Sequence, residues 1–284
     1  MNQRYKYLKK GIKHIHLLLL MKVTISNKNK KDLFVALFQI IKGCTSVVRI
    51  IFQQDKMYIQ GMDKSHICLF EVKIQKKWFD EYIVDEYIVD KDANVICFDT
   101  NIFHLIISSK QDSHNIIIHS TGKDSDNINI DLVSQEHTKG EFNKYFKIPL
   151  VDYDYDEMNI PIVEYDAEFS ISSKKICEIM SQMLAFGSDL NIKCSEEKID
   201  LVTDGIAGEM LVNIPIDDLN EYSIVEGDVI DLKYSLNYIS KMCLTNKLSS
   251  EVIFSISADF PMKINYDLGD DSSIVFYIAP KISD

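Results

Sequence analysis

Nothing in this chain advertises chemistry. It has no GxxxxGK[ST] or GxGxxG phosphate loop, no HExxH and no GxSxG elbow, so nucleotide-dependent, zinc-peptidase and serine-hydrolase chemistry have no foothold in it. Its six cysteines, 44, 68, 97, 177, 194 and 243, stand singly, with no CxxC pair and no histidine at ligand spacing. That scatter excludes a zinc ribbon and points to reduced, buried thiols. No apolar run is long enough to cross a bilayer, the longest candidate being Ile15–Met21. Its basic flank, Arg4, Lys6, Lys9, Lys10 and Lys13, imitates a signal peptide, but no small-residue cleavage site follows. Residues 1–20 are therefore expected to be an N-terminal extension. Positive charge is also short: the formal net charge of -12 argues against gripping nucleic acid with the whole surface, though not against a basic strip on one face.

What the chain does contain is regular structure, twice over. Its 284 residues suffice for two domains, and the stretch Asn143–Tyr165 reads as the strap between them. Pro149 and Pro161 bar helix and central strand there, while Asp152, Asp154, Asp156 and Glu157 keep it solvated. A free linker would be Gly/Ser-rich; this one ends in Met158-Asn159-Ile160-Pro161 and is anchored.

Before the strap, a strand over Met21–Ser26 leads to a helix over Lys30–Ile41 with Leu33, Phe34, Leu37, Ile40 and Ile41 inward and Lys28, Lys31, Gln39 and Lys42 outward. Strands follow at Ser46–Gln53, Lys56–Gln60 and His66–Ile74. A second helix over Asp99–Lys110 turns Ile102, Phe103 and Ile106 inward and Asn101, His104 and Ser108 outward, and strands at Asn115–Ser120 and Asn127–Ser134 close the half. The tandem copy EYIVD, Glu81–Asp85 and Glu86–Asp90, is expected to lengthen a hairpin or bulge a loop.

After the strap the order recurs. A strand at Ala167–Ile171 precedes a helix over Ser173–Phe186 with Ile176, Ile179, Met180, Met183 and Leu184 on one stripe. Three strands, Asn191–Cys194, Lys198–Thr203 and Glu209–Ile214, lead to a helix over Asp231–Cys243 with Lys233, Asn237 and Lys241 outward. Glu251–Ser257, Met262–Asp267 and Ser273–Ile278 finish as strands. The expected product is an α+β protein of two similar domains, 21–142 and 164–284, joined by a connector at 143–163, each with antiparallel sheet under two helices on one face. The outer helix faces carry Lys28, Lys31, Lys42, His104, Lys174, Lys175, Lys233 and Lys241 against one clear opposing charge, Glu178. His66, beside Asp63 and Ser65, has no nucleophile motif to serve as base for, and an enzyme is not expected.

Specific residues then carry a resemblance. Gln60-Gly61-Met62-Asp63-Lys64-Ser65-His66-Ile67, Ser255–Pro261 and the ending Tyr277-Ile278-Ala279-Pro280-Lys281-Ile282 resemble blocks of proliferating cell nuclear antigen, the eukaryotic sliding clamp. Leu236-Asn237-Tyr238 with Lys241, Leu248-Ser249-Ser250 and the strap's Asn159-Ile160-Pro161 are similar to the same family, in order, from Met21 to the C-terminus. The resemblance implies a closed homotrimeric ring, helices lining a hole, that slides on double-stranded DNA without reading its sequence. It implies service to DNA polymerase, loading by a clamp loader, no cofactor, no membrane, and action in the nucleus or at a site of viral DNA replication.

Two surfaces come with it. The DNA-facing cations would be Lys28, Lys30, Lys31, Lys42, His104, Lys110, Lys174, Lys175, Lys233 and Lys241. A pocket for Gln-x-x-(Ile/Leu/Met)-x-x-(Phe/Tyr)-(Phe/Tyr) peptides would be formed by Met62, His66, Ile67, Leu69, Met158, Ile160, Pro161, Tyr165, Pro261, Tyr277, Ala279 and Pro280. The chain departs from the family at Glu178, Ser181, Ile107 and Tyr234, where basic residues are usual, and in its extension, its EYIVD copy and its longer strap. By the same resemblance, the rim strands joining subunits are expected at Asn127–Ser134 and Lys198–Thr203. A non-ring polymerase accessory factor and a checkpoint-clamp subunit share this fold and are the alternatives.

Overall fold

The computed structural model describes residues 19–85, 95–121, 126–136, 139–153 and 156–281. The expected extension, the second EYIVD copy, Asp154 of the strap and Ile282 of the C-terminal block lie outside them, apart from Leu19 and Leu20 at the end of the extension. Two parallel series of elements fill the chain. The first runs β1 (Leu19–Ile25), α1 (Lys28–Cys44), β2 (Val47–Phe52), β3 (Lys56–Met62), β4 (Cys68–Gln75), β5 (Glu81–Val84), β6 (Val95–Asp99), α2 (Thr100–Ser108), β7 (Asn115–Thr121), β8 (Asn127–Val133) and β9 (Lys144–Pro149). The second repeats it as β10 (Ala167–Ser172), α3 (Ser173–Met183), β11 (Asp189–Cys194), β12 (Lys198–Gly205), β13 (Gly208–Pro215), β14 (Glu221–Ile224), β15 (Ile230–Ser235), α4 (Leu236–Met242), β16 (Glu251–Ile256), β17 (Met262–Gly269) and β18 (Ser272–Ile278). The pairings repeat as well. Strand order β5-β1-β7-β8-β9 matches β14-β10-β16-β17-β18, and β6-β2-β3-β4 matches β15-β11-β12-β13.

By its contacts the chain divides into two units, one of Met1–Phe38, Ser46–Ile59 and Lys73–Asp154, the other of Gln39–Thr45, Gln60–Val72 and Tyr155–Asp284. The first has an aromatic core. Phe38 and Phe103 lie 4.5 Å apart, Phe98 and Phe103 4.7 Å, and Phe34 sits 5.0 Å from Phe38. All are buried, each such ring contributing about 1.5–3 kcal/mol by leaving water. Asp99 caps α2 by accepting from Ile102 N at 2.9 Å.

In the second unit the helices bury Ile176, Met180, Met183, Leu236, Ile239 and Met242, with Phe169 stacked on Phe254 at 5.0 Å. Gly61 is required where it stands: a Cβ there would meet the Phe70 ring at 2.4 Å. Among the described residues no helix is long and apolar enough to cross a membrane.

Several expectations are corrected. Helix α1 starts two residues early, because Asn27 Oδ1 accepts from Lys30 N at 3.2 Å and caps it. The helix expected over Asp231–Cys243 is a strand followed by a short helix; Asp231 and Lys233 alternate with Leu232 and Tyr234 in a ladder with β11. Lys233 is therefore on a strand, paired with Asn191, and not on a helix face. Ile102, expected inward, is 47% exposed, and Leu184 also faces solvent. The start of the strap, Lys144–Pro149, is strand β9, and Pro149 is tolerated because β9 is an edge. The expected rim strands are interior: β8 pairs with both β7 and β9, and β12 with both β11 and β13.

Candidate DNA-facing helices and partner-peptide surface

The ten nominated cations are not equivalent. Lys31 is only 2% exposed, and its ammonium donates to Asp112 O at 2.7 Å and His114 O at 2.6 Å. Burial, then the neighbouring Lys110, push its pKa down. Lys110 is itself drawn in, 2.6 Å from Asp32 Oδ1 with a side chain 8% exposed. Lys30 donates to Trp78 O at 2.7 Å and lies 5.3 Å above that indole. Lys28 is solvent-facing but paired with Asp112 at 2.6 Å, and that carboxylate raises its pKa. Lys31 and Lys110 are thus removed from any DNA-facing role, and Lys30 is engaged with its own unit.

Lys42 is exposed in the last turn of α1, and His104 is half-buried on α2 beside exposed Ile102 and Leu105. Lys174 and Lys175 stand exposed in the first turn of α3, one turn before exposed Glu178. Lys241 is exposed on α4 with its ammonium 5.4 Å above the Tyr238 ring. Of the departures named from sequence, Glu178 and Ser181 do face solvent on α3, whereas Ile107 and Tyr234 are core residues. The exposed side of α2 carries apolar Leu105, 65% exposed, beside Ile102.

The twelve nominated pocket residues all fall in the second unit, and none is buried. Alternation along β4 puts Leu69 opposite to buried Cys68 and Phe70, on the open face. Tyr277 of β18 is registered against Lys263 of β17, whose ammonium lies 5.6 Å from the Tyr165 ring. Burial, then Glu71 and Tyr165, push the Tyr277 phenol up to about 12, so it stays a neutral donor at physiological pH. Ala279 N donates to Ile67 O at 3.1 Å, tying the tail to the loop before β4. Met158 is clamped by Gln60, whose amide donates to Met158 O at 2.9 Å and accepts from Met158 N at 2.8 Å. The strap is thus anchored where Met158, Ile160 and Pro161 join the surface. Pro261, at the entry to β17, is exposed.

Sequence reasoning missed Gln60, Asp63, Lys263 and Tyr238 as supports of this surface. A glutamine only 4% exposed inside an apolar strand was the readable signal for the first. Asp63, 7% exposed, accepts from Ser65 N at 2.9 Å, Ile67 N at 2.8 Å, Cys68 N at 2.7 Å and Tyr238 Oη at 2.6 Å. Desolvation, the largest influence, pushes its pKa up, but the bonds from Tyr238 and the three amides outweigh it and the carboxyl ends below its usual value.

A duplicated α+β chain with helices carrying scattered surface lysines and an open apolar patch on one sheet face is the class of DNA sliding clamps. The chain belongs to the proliferating cell nuclear antigen family: residues 26–157 match the model of its N-terminal domain and residues 159–281 that of its C-terminal domain. It is 23% identical over 260 residues to proliferating cell nuclear antigen 2 of Plasmodium falciparum, covering 88% of this chain and 96% of that one. It is 24% identical over 250 residues to the DNA polymerase sliding clamp of Methanothermobacter thermautotrophicus, covering 86% and 92%. The crystal structure of proliferating cellular nuclear antigen from Entamoeba histolytica superposes with a TM-score of 0.80 at 20% identity, over 93% of this chain and all of that one.

Proposed function

We propose that copies of this chain join edge to edge into a closed homotrimer that encircles double-stranded DNA and tethers DNA polymerase and other replication proteins. The carrying observation is a pair of uncovered strands. In the strand order β18 is followed by β4, whereas their counterparts in the duplication, β9 and β13, end their sheets. Strand β9 buries only Ile148 and β13 only Ile214, leaving Tyr145 and Leu211 68% and 57% exposed. Edge strands this open are protected by pairing, and β9 of one copy against β13 of the next repeats the pairing of β18 with β4. The join is heterologous, and a rotation of a third of a turn between successive copies closes it into a ring of three.

On DNA the work is electrostatic and needs no active site. Lys42, Lys174, Lys175 and Lys241, with Lys28 in a secondary part, supply weak phosphate contacts that carry no base information, so the ring slides. With few such contacts, topology rather than affinity retains it, and a clamp loader is required to open it. Partners dock by a helical turn whose aliphatic and aromatic anchors enter the surface around Ile160, Leu69 and Tyr277. The site of action is the nucleus, or the place where a viral genome is copied. Changing Ile160 and Tyr277 together to Ser abolishes binding of a Gln-x-x-Ile-x-x-Phe-Phe peptide in fluorescence anisotropy while leaving the assembly mass intact. Unchanged affinity would place the docking surface elsewhere.

A further inference from the structure

Three of the twelve pocket residues depend on one carboxylate that is not itself part of the docking surface. The loop between β3 and β4 turns at Asp63, whose O accepts from His66 N at 3.0 Å, and His66 follows in the left-handed region with φ 59°. A side chain larger than glycine's stays in that region only where its surroundings fix it. Here the fixing group is the Asp63 carboxylate: Oδ1 takes Ile67 N and Cys68 N, and Oδ2 takes Ser65 N. Ile67 then offers its own O to Ala279 N, so the loop also sets the C-terminal tail. His66, Ile67 and Ala279 all inherit their placement from how Asp63 is oriented.

Asp63 in turn has one side-chain donor from a distant element, the Tyr238 hydroxyl on α4, at 2.6 Å. Tyr238 is well seated for this, since its helix buries Leu236, Ile239 and Met242, and Lys241 covers its ring. We propose that Tyr238 is a positioning residue for partner peptides: its hydroxyl, acting through Asp63, holds the Lys64–Ile67 loop in the conformation that presents His66 and Ile67. The inference rests on the docking surface proposed above. A phenol that only stabilised the fold would contribute to melting and leave affinity alone. A positioning phenol lowers the cost of ordering the loop on binding, and its loss appears in peptide affinity.

The test is peptide affinity of the full chain, measured by anisotropy with the Gln-x-x-Ile-x-x-Phe-Phe peptide, beside thermal melting. Tyr238→Phe keeps the ring and deletes only the hydroxyl. Expected is a loss of roughly five- to tenfold in affinity, less than the full worth of one hydrogen bond to a charged group because the phenol acts on the peptide only through Asp63, with the assembly mass unchanged. Asp63→Asn, which sets an amide against the same donors, weakens binding further. Tyr266→Phe is the control: it removes a phenol bond of 3.2 Å to Met242 O in the same unit, and shifts melting without moving affinity. Wild-type affinity in Tyr238→Phe, whatever Asp63→Asn does, with the wild-type chain binding normally, overturns the inference and leaves the docking surface standing. A wild-type chain that fails to bind the peptide overturns the surface and the inference together.

Discussion

Lys31 and Lys174 occupy the first turns of α1 and α3, equivalent helices in the duplication, and do opposite things. Lys31 is buried and spends its ammonium on the carbonyls of Asp112 and His114. Lys174 is in solvent, as is its neighbour Lys175. Around Lys31 the first unit also ties down Lys30, against Trp78, and Lys110, against Asp32. Architecture was copied between the halves while the use of charge diverged: one helix has turned cations into braces, the other leaves Lys174 and Lys175 in solvent. Counting lysines on a helix therefore overstates a DNA-facing surface, because several of them, such as Lys31 and Lys110, are drawn inward.

The strongest way to break this contrast is Lys31→Glu. A carboxylate there would face two carbonyl oxygens without water, costing about 3–5 kcal/mol in chemical denaturation. The same change at Lys174 leaves the denaturation midpoint where it was, as exposed sites do. Equal stabilities for the two variants would erase the distinction between brace and open cation.

Next in size is the effect on DNA. Changing Lys174 and Lys175 together to Glu lowers affinity for duplex and reduces the slope of log affinity against log salt by about two for each copy engaged with DNA. A smaller effect concerns pH. Asp63 has a folded pKa below its unfolded one, so its stabilisation is complete above about pH 4 and is lost as pH falls through the folded value. Acid titration of stability in Asp63→Asn therefore lacks that part of the wild-type decline. Smallest of all is Lys28→Gln: an exposed ion pair is broken, and neither melting nor denaturation moves measurably.

Much of this was legible in the residues. The repeated order of elements followed from hydrophobic period and breaker positions, and the blocks around Met62-Asp63 and Ala279-Pro280 carried the family. The nominated pocket residues were named from sequence motifs, and adjacent strands and the strap place them in one unit. What escaped were partnerships made through space. Helical phase placed Lys31 outward because it cannot foresee that the Asp112–His114 loop closes over it. The strand at Ile230–Ser235 was readable from the alternation of Asp231 and Lys233 with Leu232 and Tyr234, but the helix after it absorbed the segment. Which strands end the sheets depended on Lys144–Pro149 pairing with β8, and two prolines had marked that stretch as connector. Asp63 and Tyr238 were invisible as supports because their shared role is a hydrogen bond between segments far apart in sequence.

The self-closing ring is tested most directly by the mass of the full chain in solution, by light scattering at micromolar concentration. A closed homotrimer has three times the 32.7 kDa of one chain, falling when charges are placed on the edge strands at Tyr145 and Leu211. A stable mass of 32.7 kDa for the unaltered chain would contradict the self-closing ring.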